Sequence, residues 1–162
     1  MIHRILNVKP AVLIVVAVVL VALFVWQGAA WNSHRREDTR RDSALKVARA
    51  QVVDLTSLSA GTVEERLADM SSRTTGSFKR QLDGIAQSFS STVTKNKIEA
   101  SGKVAALGVV SFGDDKAEVL LAADAEVDSD EAEATTARAY RIKVSLVLSS
   151  GRWLVNGMEF VA

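Results

Sequence analysis

Apolar positions along this chain fall into three regimes. The first runs without interruption from Ala11 to Trp26 and reaches Trp31 if Gln27 and Gly28 are admitted. About 20 such residues cross the hydrocarbon layer as a helix. Pro10 stands where that helix would begin, a position at which its missing N–H costs nothing. Trp26 and Trp31 lie toward one end, as rings at the lipid headgroup level do. The pattern predicts a transmembrane helix over 10–31 with Pro10, Trp26 and Trp31 as its anchor residues. It is preceded by a short terminus over 1–9 and followed by an arginine-rich juxtamembrane stalk over 32–42. Gly28-Ala-Ala30 also has the small-residue form of a cleavage site behind a basic Arg4 and Lys9, so a removed signal peptide is the alternative. Two features favour a retained anchor. The apolar run exceeds the usual h-region of about 7 to 15 residues, and the charged run His34 to Arg41 follows it. A buried core helix is opposed by the absence of any polar face. Lys and Arg flank both ends, so charge alone leaves the orientation open.

The second regime has helical period. Leu45, Ala48, Val52 and Leu55 recur at three- and four-residue spacing, predicting a helix from about Asp38 to Leu58 that Gly61 ends. Thr62-Val-Glu-Glu65 has the form of a capping box, opening a short helix with Val63, Leu67 and Met70 inward. Gly76 and Ser77 open a third helix, whose Phe78, Leu82, Ile85, Phe89 and Val93 form one stripe. That stripe reads as a core-facing surface rather than a cofactor box.

From Lys97 the period is two. Ile98, Ala100, Gly102, Val104, Ala106 and Gly108 share one face of a long strand, or of one broken at a glycine. Gly113-Asp-Asp115 punctuates the chain. Ala117, Val119, Leu121, Ala123 and Ala125 form one face of a second strand, and Tyr140 to Leu148 one face of a third. Ser149-Ser-Gly151 supplies a hairpin turn, and Arg152 to Phe160 is the last strand. Trp153 and Val155 face the helices, and Phe78, Phe89 and Trp153 are the candidate core anchors. Helices followed by a meander make an α+β domain over 43–162, three helices on a curved four-stranded antiparallel sheet.

Composition narrows the chemistry. Twenty Lys and Arg against 19 Asp and Glu leave a net charge of +1, without the broad basic field that nucleic-acid binders carry. There is no Cys, hence no disulfide, thiolate nucleophile or Cys-held metal. His3 and His34 both flank the apolar run, so the α+β domain has no imidazole for a catalytic base or metal ligand. No cofactor motif occurs. Asp128-Ser-Asp130 begins like a calcium loop, but Ala132 and Glu133 stand where a ligand and the turn glycine belong. Asp128, Asp130, Glu131 and Glu133 read instead as an exposed acidic interaction loop. An enzyme built on Asp54 or Asp124 with Tyr140 as donor is the remaining catalytic reading, and their spacing does not favour it.

The order Lys97-Ile98, Val104, Gly108-Val-Val-Ser111, Lys116-Ala-Glu-Val-Leu-Leu121, Arg141-Ile-Lys-Val144, Gly151-Arg-Trp-Leu-Val155 and Gly157-Met-Glu159 resembles the Mce-associated membrane proteins of actinobacteria. The resemblance, mycobacterial in type, covers almost the whole chain. It implies a cone-shaped nuclear-transport-factor-2-like domain, similar to the periplasmic domain of type IV secretion assembly factors, on a single-pass anchor. It further implies a cytoplasmic N-terminus and an extracytoplasmic domain at the cytoplasmic (inner) membrane. The expected role is accessory and non-enzymatic: stabilising or assembling an Mce-type importer of fatty acids or sterols. Expected partners are cytoplasmic membrane lipids and Mce transporter subunits or other Mce-associated proteins, with a homo- or hetero-oligomer as a further option and no nucleic acid. The alternatives are a small-ligand or lipid-binding cone and an isomerase or dehydratase of the same fold.

Overall fold

The structure, a computed structural model, describes residues 37–129 and 135–161. The expected span over 10–31 with Pro10, Trp26 and Trp31, and the loop residues Asp130, Glu131 and Glu133, lie outside the described residues. Among the described residues no helix is long and apolar enough to cross a membrane. The chain divides into two compact units, Met1–Arg40 and Arg41–Ala162. In the first, the described residues 37–40 are helical. The second holds helix α1 (41–56), α2 (Val63–Ser72) and α3 (Gly76–Lys95), then strands β1 (Glu99–Phe112), β2 (Lys116–Asp128), β3 (Thr136–Ser149) and β4 (Arg152–Phe160). The strands form one antiparallel sheet in the order β1-β2-β3-β4.

Two apolar clusters hold the layers together. In one, Ala44, Ala48 and Val52 of α1 meet Ala117, Val119, Leu121 and Ala123 of β2, Ile142, Val144 and Leu146 of β3, and Trp153 and Val155 of β4. Small residues on α1 let its backbone lie close to the sheet, and the half-buried Phe78 closes the side. In the other, Val63, Leu67 and Met70 of α2 pack on Leu82 and Val93 of α3, with Phe89 against them. Leu55 touches both clusters. Of the three expected core anchors, Trp153 is buried in the sheet cluster with its ring tilted against that of Phe112 at 5.4 Å, while Phe78 and Phe89 are half-buried at the margins.

Three details depart from the sequence reading. Ile85 is 55% exposed rather than core-facing. Helix α3 is covered chiefly by α2, so its buried arc centres on Leu82 and Val93, with Ala86 and Ser90 on one flank and Ile85 beyond the other. Thr62 makes no side-chain cap of α2; its hydroxyl lies 2.8 Å from that of Ser59 instead. Strand β1 changes register between Val104 and Ala106 and again between Val109 and Ser111. Each irregularity adds a residue and reverses the alternation. Hence Leu107, Val109 and Phe112 sit opposite the buried Leu121, Val119 and Ala117, while Ala106 and Gly108 are turned outward.

Turn chemistry follows the sequence closely at the β3–β4 hairpin. Ser150 and Gly151 have φ of 49° and 77°, the paired positive values of a two-residue turn whose twist matches the strands. At the other end of the sheet, α1 meets β1 at Gly102. A Cβ there would overlap the hydroxyl and Cβ of Thr56. Close approach lets the Ser57 hydroxyl donate to the Gly102 carbonyl and accept from its N–H, both at 3.1 Å.

Candidate functional site

The residues weighed for catalysis are not brought together. Asp54 lies buried on α1 toward α2, Asp124 is exposed on the face of β2 turned away from the helices, and Tyr140 stands on the opposite, helix-facing side of the sheet. Asp54 is an ionic node instead. Its two carboxylate oxygens are taken by Arg66 of α2, at 2.6 Å, and by Arg73 in the turn after α2. The same turn docks on the edge of β4, where Val155 donates to the Arg73 carbonyl and Thr75 donates to the Val155 carbonyl. One buried carboxylate thus joins α1, α2 and the segment that borders the sheet. With a guanidinium group on each oxygen it ties these elements together.

A second polar group sits where α2 ends against α3. The Ser71 hydroxyl donates to Asp83 at 2.5 Å, and Lys79 donates to the Ser71 carbonyl and hydroxyl and pairs with Asp83 at 3.2 Å. The Ser71 hydrogen bond first, and Lys79 in support, hold the Asp83 carboxyl below the ordinary aspartate range. Serine, lysine and acid here join the end of α2 to α3. The groove beside them, about 390 Å³, is lined by Glu64, Leu67, Ala68, Asp83, Ala86 and Gln87 among others. Among the described residues, no three carboxylate or imidazole groups converge as a metal site.

The most distinctive surface is the outer face of the sheet near the β2–β3 connection. A hollow of about 510 Å³ lies across three strands, over Ser101 and Lys103 of β1, Asp124 and Glu126 of β2, and Ala137 and Ala139 of β3. Cross-strand register sets Ser101 opposite Glu126 and Ala137, and Lys103 opposite Asp124 and Ala139. Asp128, the described member of the expected acidic loop, lies on the same face opposite Glu99. An adjoining hollow of about 210 Å³ runs over Glu99, Ser101, Glu126 and Asp128. Neither Asp124 nor Glu126 has an ion-pair partner among the described residues. Further along the same face Lys143 pairs with Glu159 at 3.0 Å, and that hydrogen bond raises the lysine above its ordinary value. The acidic character was legible in the sequence. The hollow was not, because it depends on Ala137 and Ala139 falling beside the acids.

The family model described as uncharacterized protein Rv1363c/MT1408-like matches residues 3–162. A curated relative, the uncharacterized protein Rv1363c of Mycobacterium tuberculosis H37Rv, is 29% identical over 133 residues, which are 81% of this chain and 51% of the relative. The chain therefore spans about half the length of that protein. Among solved structures, an IcmL-like type IV secretion system protein from Legionella pneumophila superposes with a TM-score of 0.59 at 8% identity, covering 75% of this chain and 91% of its own. CagV from Helicobacter pylori, a VirB8 homologue, gives 0.57 at 9%, covering 72% and 94%. The periplasmic domain of DotI gives 0.55 at 12%, covering 72% and 91%. At these identities the likeness is one of fold.

Proposed function

This chain belongs to the Rv1363c/MT1408-like family, and from that membership we propose that it is a single-pass membrane protein whose α+β domain works outside the cytoplasmic membrane as an accessory to a larger membrane complex. The observation that carries the reading is the use made of the two sheet faces. Side chains of α1 fill the helix side of the sheet, where Val52, Leu121, Ile142, Val144 and Val155 are fully buried. The outer face is left open, hollowed and charged. A cone that carried a lipid would keep its apolar space vacant; this domain spends that space on its own core and presents polar surface to others. The apolar run over 10–31 supports the anchor. The IcmL-like protein and CagV are type IV secretion components and the DotI domain is periplasmic, which supports an assembly role on that side of a membrane.

The resemblance of Lys97 to Glu159 to Mce-associated proteins supports a more specific assignment: stabilising or assembling an Mce-type lipid importer through protein contacts, without catalysis. Deleting the gene, then quantifying Mce transporter subunits in the membrane and uptake of fatty acid or sterol, tests it. Both quantities fall if the reading holds, and unchanged subunit levels and uptake remove it. Protease treatment of intact spheroplasts tests the side of the membrane, with digestion of the domain expected.

A further inference from the structure

The sheet has three edges, and among the described residues two of them are covered over part of their length. The start of β1 is covered by the segment after α1, through Ala100 N–H to the Leu58 carbonyl at 2.7 Å and the Ser57–Gly102 pair. Its remainder is broken by the two register shifts, a common way to blunt an edge. The middle of β4 is covered by Arg73–Thr75. The third edge is the first part of β3. Strand β4 pairs only with Ile142–Ser149, followed by one bond from Val161 N–H to the Arg141 carbonyl. In an antiparallel ladder alternate residues point N–H and C=O to the same side. Since Arg141 points its carbonyl toward β4, Ala139 and Ala137 present both groups to that side, where no described residue pairs with them. No bulge, proline or lysine interrupts this stretch, and residues 137–139 are all exposed.

We propose that Ala137–Tyr140 is a docking edge to which a partner protein adds a basic, extended segment as a fifth strand. The proposal rests on the protein-contact reading above and names the surface that makes the contact. Backbone pairing supplies affinity, and side chains of alternate residues supply selection. On the outer face around this edge Glu99, Asp124, Glu126 and Asp128 outnumber Lys103 and Arg141, so the selection is for positive charge. An added strand would lie beside Ala137 and Ala139, which are too small to fill the outer face. Asp124 and Glu126 stand one strand further in, roughly 10 Å from the newcomer at about 4.8 Å per strand spacing. That span suits Lys or Arg laid across the alanines toward the unpaired carboxylates, while aspartate or glutamate there would meet like charge. On the other face the ring of Phe160, 61% exposed and packed edge-on at 5.7 Å against Tyr140, offers an apolar contact to the alternate residues. Self-pairing of this edge about Arg138 would set two arginines opposite each other, which argues against a second copy as the occupant.

The test uses the full-length chain in a non-ionic detergent and a fluorescent octapeptide alternating Lys with Val, with a Glu/Val peptide as control, read by anisotropy at low salt. Wild-type protein should bind the Lys peptide at least tenfold more tightly than the Glu peptide. Ala139→Pro removes only an outward N–H and should cut binding at least tenfold. The double variant Asp124→Asn, Glu126→Gln leaves every backbone group in place and should do the same, while abolishing most of the salt dependence. Thermal unfolding confirms that both variants are folded, and the double variant decides the matter if the proline variant is not. Equal binding of the two peptides, no binding of the Lys peptide, or unchanged binding by the folded variants would overturn the proposal. So would a dimer that Ala139→Pro dissociates while the Lys peptide fails to bind. Such failure alongside transporter subunits that still vanish on deletion would discard the edge and leave the functional reading intact.

Discussion

Single residues in this domain matter most where elements meet. Asp54 is shielded from solvent and engages two arginines that come 12 and 19 residues later. Its replacement by Asn keeps the shape but leaves both guanidinium groups without their counter-charge. Because Arg66 and Arg73 keep some contact with water, the cost should fall below that of a fully buried pair, at about 2 kcal/mol. Chemical denaturation of Asp54→Asn against wild type measures it, and a change below a few tenths would show that the node is dispensable. Gly102→Ala should cost about 1 to 3 kcal/mol, because the added methyl must displace Thr56 and with it the end of α1. Gly84→Ala meets nothing within 4 Å, and helix propensity makes it neutral or slightly stabilising. The group at Asp83 gives a pH signature. A carboxyl depressed in the folded state contributes stability that is complete above its unfolded value, about 3.9, and lost as pH falls through the lower folded value. Ser71→Ala should move the Asp83 titration, followed by carboxyl-carbon NMR, up toward the ordinary range; an unmoved titration would contradict the assignment of cause. None of these partnerships was visible in the sequence, since each joins residues whose proximity only the folded chain creates.

Elements were far more legible. Helical period marked α1, α2 and α3, and strict alternation in β2 and β3 identified their buried faces residue by residue. Where legibility failed, the sequence was degenerate. Ala105-Ala106 and Val109-Val110 give no sign of which member of each pair faces inward, so the bulges of β1 leave no trace in the pattern. Ile85 failed for another reason: a stripe read by spacing alone is as wide as its apolar residues, whereas the buried arc is as wide as the helix that covers it. Ile85→Lys should therefore change stability by less than about 0.5 kcal/mol, while Leu82→Ala should cost about 2 to 4. Thermal melts of the two variants make the comparison, and equal losses would mean that α3 has a second packing partner over Ile85.

At the scale of the whole molecule, the chain combines an apolar run suited to a bilayer, a domain whose core lies on the helix side of its sheet, and an outer sheet face on which acidic and small residues coincide. The α+β domain shares its fold with the IcmL-like protein, CagV and DotI, and the family model spans the apolar run as well as the domain, over residues 3–162. The central claim is that the protein works by holding other membrane proteins. Its most direct measurement is co-purification of the tagged full-length chain from native membranes, with partners quantified by mass spectrometry against an untagged control. The account predicts stoichiometric enrichment of Mce transporter subunits or other Mce-associated proteins, reduced in the Asp124→Asn, Glu126→Gln variant; recovery of the chain with lipid but without any enriched membrane protein would contradict it.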